Sequence, residues 1–234
     1  MLVILARQQD QTAKALAERW RDHDAHLLTS VDLSTVGWRH HLPANGASEA
    51  VVSGRVVATE EIAAVLTRLP CVDENELQHI IPEDRAYVSA EMTAFLVSWL
   101  SDLTCPVLNR PSPTCLTGPN WRPERWVHAA AQLGIPVCPV RRDATGSPRA
   151  WKEVPRPPLL TVTVVGDRWF GRIDHALGVQ AQRLAKAAGV DLLAVHFEST
   201  ESGCALVGVD LQPDTSSPEV ADAIREYLTA DSRC

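Results

Sequence analysis

The chain has 234 residues, 45% of them apolar, enough to bury one large core or two small ones. Its formal charge is -7 and its arginines are scattered, so the basic stripe that a nucleic acid or an anionic membrane would require is missing. No apolar run approaches a bilayer span, and the opening MLVILARQQDQ has no basic lead-in, so a cytoplasmic protein without a membrane partner is expected.

In chain order, Leu2 to Ala6 reads as a buried strand. Asp10 to Arg21 is a helix with Ala13, Leu16, Ala17 and Trp20 at helical spacing, and Ala25 to Thr29 is a second strand. Glu49 to Val57 predicts a hairpin turning at Ser53-Gly54, and Thr59 is read as the cap of a helix that runs to Arg68 and stops before Pro70. Pro82 is expected to open a long amphipathic helix through Leu103 whose aromatic residues serve packing. Pro106 to Asn109 is a strand, Trp121 to Leu133 a helix closed by Gly134, and Ile135 to Val140 a further strand. The alternation predicts a mostly parallel sheet.

Residues 141–158, RRDATGSPRAWKEVPRPP, are polar and proline-rich and predict a linker or exposed loop between domains at 1–140 and 159–234. Beyond it, Leu160 to Val165 and Arg168 to Arg172 form a hairpin over Gly166-Asp167. Asp174 to Ala188 is a helix ended by Gly189, and Asp191 to Glu198 and Cys204 to Leu211 are strands joined through Glu201-Ser202-Gly203. Ser217-Pro218 starts the last helix. The six cysteines (Cys71, Cys105, Cys115, Cys138, Cys204, Cys234) form no CxxC and no zinc spacing, so reduced thiols are expected. Lysines are scarce: Lys14, Lys152 and Lys186 only.

LNRPSPTCLTGPNWRPERW followed by HAAAQLGIPV, then TVTVVGDRWFG, then RLAKAAGVDLLAVHFESTESGCALVGVDLQPD, resemble in order the successive parts of bacterial ATP-grasp ligases of the carboxylate-amine and peptide ligase branch. The resemblance implies an α/β fold. A Rossmann-like, mostly parallel pre-ATP-grasp sheet would be followed by a small α+β remnant of the ATP-grasp domain. Family enzymes phosphorylate a carboxylate with ATP and let an amine attack the acyl phosphate, chemistry that needs lysines and Mg2+ on the phosphates. The interval that supplies the family's lysines is here Cys138 to Leu160, with Lys152 alone. The positions matching the family's metal ligands are His196, Gly208 and Asp210, a set poor in the oxygen ligands that Mg2+ takes. A truncated, non-catalytic relative without catalytic residues, metal or cofactor is therefore expected. It would bind or scaffold as a homo-oligomer or beside a full-length ATP-grasp ligase. The alternative is a ligase subunit whose nucleotide lobe arrives in trans, and only then are ATP and Mg2+ expected.

Five residues are candidates for binding a small carboxylate or peptide: Asn109, Arg110, Asn120, Arg122 and Arg125, gathered after a strand and at a helix N-terminus. The favoured reading of this loop is structural, with Gly118 and Pro119 setting the turn and Asn120 capping the helix. His196 and Asp210 are read as a hydrogen-bonded pair, His40 and His41 as surface histidines, and Cys115 as a loop thiol with no nucleophilic role.

Overall fold

The computed structural model describes residues 1–42, 46–138, 159–200 and 203–230. Contacts divide the chain into two compact units, Met1–Asn120 with Asp214–Cys234, and Trp121–Pro213. The division falls ahead of the expected boundary at 140. Leu116 N donates to Pro70 O and holds the loop to the first unit, whereas Trp126 and Ala130 belong to the second unit's core. The expected linker, 141–158, lies outside the described residues.

The first unit begins with β1 (Leu2–Leu5), α1 (Gln11–Arg19), β2 (Ala25–Leu28) and α2 (Ser30–Leu33). Asp10 caps α1, its carboxylate accepting from Ala13 N at 2.9 Å, and Ala13 and Leu16 are buried. A hairpin of β3 (Glu49–Val52) and β4 (Arg55–Ala58) turns where expected, with Ser53 at φ 51 and Gly54 at φ 72. Thr59, however, opens no helix. Thr59–Glu61 is a single 3-10 turn, and β5 (Ala64–Thr67) follows as a strand buried at all four positions. A continuous apolar run suits a strand covered on both faces, and composition alone does not distinguish it from a buried helix.

A 3-10 turn at Pro82–Asp84 precedes α3 (Arg85–Asp102), and β6 (Val107–Leu108) completes a parallel sheet of order β2-β1-β5-β6. The helix is not amphipathic as expected. Leu96, Trp99 and Leu100 are buried, Val88, Met92 and Phe95 half-buried, and Tyr87 is 68% exposed, so apolar side chains run round its circumference. Trp38 packs edge-on against Phe95 and Trp99.

The second unit holds α4 (Pro123–Gln132), β7 (Leu160–Val165), β8 (Arg168–Phe170), α5 (His175–Ala188), β9 (Leu192–Thr200) and β10 (Gly203–Asp210). Its strands form an antiparallel sheet of order β10-β9-β7-β8. Asp174 caps α5 and Gly189 ends it at φ 66. Val162, Val164, Leu193, Val195 and Phe197 point to one face, where Leu177, Ala181, Leu184 and Ala185 of α5 complete a core with Trp126 and Ala130 of α4. In place of the expected strand from Ile135, Val137 alone makes a parallel bridge to Leu206, and residues 139 and 140 lie outside the described residues. The chain returns to the first unit as α6 (Pro218–Ala230). Its Val220, Ala221, Ala223, Ile224 and Leu228 are buried, and it packs on β5. No helix of the described residues is long and apolar enough to cross a membrane.

Candidate functional site

The five loop residues divide between the units: Asn109, Arg110 and Asn120 lie in the first, Arg122 and Arg125 in the second. Asn109 is 3% exposed and donates through Nδ2 to Thr117 O at 3.3 Å, while Thr67 Oγ1 lies 3.0 and 2.9 Å from the carbonyls of Leu108 and Asn109. It ties the loop to the end of β6. Arg110 donates to Leu103 O and Cys105 O, both at 3.3 Å, so its guanidinium covers carbonyls just beyond the C-terminus of α3.

Asn120 is exposed and does not cap α4. The cap position is Arg122, extended at φ -69 and ψ 156, with Pro123 as the first helical residue. Proline fixes φ at a helical value and restricts its predecessor to extended backbone, which moves the cap two residues past Asn120. Arg125 lies 4.4 Å over the Trp121 ring. Arg122 is exposed and has no side-chain partner among the described residues. Cys115, expected in a mobile loop, is 8% exposed, with its Sγ 3.3 Å from Thr117 Oγ1.

Sequence reading pointed to the carboxyl edge of the parallel sheet through Asn109 and Arg110 but missed the ion pair there, at the edge where open α/β sheets bind ligands. Asp10 follows β1 and Arg68 follows β5. They meet there, Nε to Oδ2 at 3.0 Å, with side chains 16% and 9% exposed. Ser216 N–H and Oγ–H hold the Asp214 carboxyl below its ordinary value, and Arg68 adds to the effect. Glu76 accepts from Gln8 N at 2.9 Å and from Ser30 Oγ at 3.0 Å, and Arg7 stands 3.5 Å from Asp73. Arg68 directly follows β5, a segment whose pattern predicts a helix, and a helix would not place it at the sheet edge.

The positions that match the ligase metal ligands lie on the second unit's sheet. Gly208 is directly opposite His196 and Asp210 opposite Ala194, so all four share a face. His196 and Asp210 do not pair as expected. His196 Nδ1 lies 3.0 Å from Thr161 Oγ1, its partner across β7, and Asp210 accepts from Gln212 N at 2.7 Å to close a local turn. The register decides this, because it puts a threonine rather than the aspartate beside the ring. A hard divalent cation needs several oxygen ligands, and these three positions supply one carboxylate already used in a turn, so they do not fit Mg2+. Lys186 is exposed in the last turn of α5, which covers the other face of the sheet. Among the described residues no three His, Cys, Asp or Glu side chains gather as a metal site.

His40 is not a surface residue. Its side chain is 9% exposed, Nε2 lies 3.0 Å from Ser98 Oγ, and its ring is edge-on to Phe95.

No protein-family model matches the chain, and no curated protein does. Solved structures match over nearly the full length. Macrocyclase MdnC of Microcystis aeruginosa bound with precursor peptide MdnA is similar at 12% identity and TM-score 0.72, over 99% of this chain and 100% of that one. A Chryseobacterium gregarium RiPP-associated ATP-grasp ligase in complex with ADP and a leader and core peptide is similar at 10% identity and TM-score 0.67, over 98% and 96%. ATP-grasp ligase PsnB, complexed with a phosphomimetic variant of its minimal precursor, Mg and ADP, is similar at 14% identity and TM-score 0.65, over 97% and 98%. The chain is thus an α/β protein of ATP-grasp-like fold.

Proposed function

We propose that this chain is a non-catalytic ATP-grasp-like subunit that binds a peptide in a peptide-modifying pathway, together with a full-length ATP-grasp ligase or a second copy of itself. The observation that carries the reading is the face of the second unit's sheet bearing His196, Gly208 and Asp210. There one residue has no side chain, one imidazole is held by Thr161, and one carboxylate is turned into its own loop. Acyl-phosphate formation depends on cations placed around the phosphates; these three positions supply none, and Arg168, which the register puts on the same face at the outer strand β8, lies over the Phe170 ring. Fold neighbours complexed with precursor peptides support a peptide as the ligand. Of the five loop candidates, Arg122 is the one suited to meet a peptide carboxylate, because Arg110 and Arg125 are engaged. Exposed Tyr87 and Ile81, 68% and 61%, support a protein partner.

The test is thermal melting of the purified chain with Mg-ATP, read alongside ATP hydrolysis. An unchanged melting temperature and no turnover are expected, since a ligand stabilises only what it binds. A clear rise with hydrolysis would replace this reading by that of a ligase subunit whose nucleotide lobe is completed in trans.

A further inference from the structure

Leu33 at the end of α2, Trp38, and Met92 and Phe95 of α3 line an open groove of about 330 Å³ in the first unit. All four are half-buried, packed against the core of that unit on one side and forming the groove wall on the other. Val36, two residues before Trp38, is 94% exposed, and the exposed Tyr87 lies one turn before Glu91 on α3. A helix with apolar residues on every side is normally covered on every side, yet at this groove α3 is open to solvent. Small-molecule sites enclose most of their ligand, which an open trough cannot do, whereas the apolar face of a helix fits such a trough.

The charge in the groove says what kind of segment fits. Glu91 is the one charged residue between 86 and 101, and it lines the groove. It is exposed and makes no ion pair among the described residues. Glu83 and Asp84, just ahead of α3, are exposed as well, and Asp84 makes no capping hydrogen bond. Arg85, the next cation in the chain, is turned back onto Ile80 O and Gln78 O, at 2.9 and 3.4 Å. A second copy laid on this face about a two-fold axis would bring two Glu91 carboxylates to one seam, which like charges oppose. A segment that carries Arg or Lys beside its apolar face complements the groove instead.

We propose that this groove docks a short amphipathic helix of a partner protein. Its large apolar side chains, at i, i+3, i+4 and i+7, fill the trough, and an arginine or lysine beside them meets Glu91. The proposal deepens the reading of a protein partner given above and rests on it for that partner's existence. Its test uses no nucleotide, so a chain that hydrolyses ATP and still binds the helix would lose the non-catalytic reading and keep this one.

The probe is the fluorescein-labelled peptide AQLRALLQALRAQ, which on a helix sets four leucines in one stripe with two arginines along its side. Titration with the full chain, followed by anisotropy, should show binding about tenfold or more tighter than that of AQLEALLQALEAQ, in which glutamates replace the arginines. AQARAAAQAARAQ, whose apolar stripe is trimmed to alanine, should not bind. Glu91→Gln, at an exposed and unpaired position where folding is not at stake, should narrow the preference for arginine to about threefold or less. Met92→Gln removes apolar wall without adding charge and should weaken both leucine peptides about fivefold. Equal binding of the two leucine peptides, tight binding of the alanine peptide, an unaffected Glu91→Gln variant, or no binding of AQLRALLQALRAQ would each overturn the proposal. So would a dimer of the chain in sedimentation that Met92→Gln dissolves, since a second copy would then be the occupant.

Discussion

Arg68 and Asp10 stand 58 residues apart in sequence and 3.0 Å apart in space, and both are largely withdrawn from water. Removing one partner from such a pair leaves the other charge poorly solvated, and Asp10 is also the cap of α1. Asp10→Ala should therefore cost about 2 to 4 kcal/mol in urea unfolding, whereas Asp10→Asn, which retains an acceptor for Ala13 N, should lose less. Gly178 poses the opposite kind of question. Alanine is the better helix former by about 1 kcal/mol, yet a Cβ at this position of α5 would overlap the Trp169 indole. Overpacking wins, so Gly178→Ala should lower stability by about 1 to 3 kcal/mol in the same measurement. Residues whose role is local were legible in the sequence: Ser53-Gly54 as a turn, Gly189 as a helix end. Asn109, Arg68 and His40 were not, because their partners are supplied by other elements.

Among elements, α3 and β5 show where pattern reading stops. Apolar residues surround α3, so its sequence predicts burial but not which side meets the sheet, and β5 carries no alternation because both its faces are covered. The chain just after α3 is tied by a donor from the following loop: Arg110→Ala should lose about 1 kcal/mol, measured by denaturation. Two turns contribute to the acid sensitivity. Backbone and side-chain hydrogen bonds from Asn75 hold the Asp73 carboxyl below 3.8, and those from Ser216 do the same for Asp214. A depressed folded-state value means that the stabilisation is complete above the unfolded value and is lost as pH falls through the lower folded one. Both groups are near solvent and screened, so the effect is small. The double variant Asp73→Asn with Asp214→Asn should show a shallower loss of stability below about pH 4 than the parent in urea titrations.

At the scale of the whole molecule, two cores imply two folding units of unequal independence. The 121–213 unit has its own core around Phe197, Leu206 and Trp126 and should show a cooperative thermal transition when expressed alone. Residues 1–120 without 214–234 should not, because α6 buries five apolar residues within that unit. Circular dichroism melting of the two fragments checks both statements. Taken by itself, the sequence determined the α/β class, the hairpin turns at Ser53-Gly54 and Gly166-Asp167, and the chemistry available at positions 196, 208 and 210, since a glycine has no side-chain ligand to give in any fold. These follow from backbone preferences and side-chain identity, which act over a few residues. Only the tertiary structure decided that Ala64–Thr67 is an inner strand, that His196 faces Thr161 rather than Asp210, and that Leu33, Trp38, Met92 and Phe95 line one groove. The reason is that strand order, register and grooves are set by contacts between residues far apart in the chain, whose energy no local window contains.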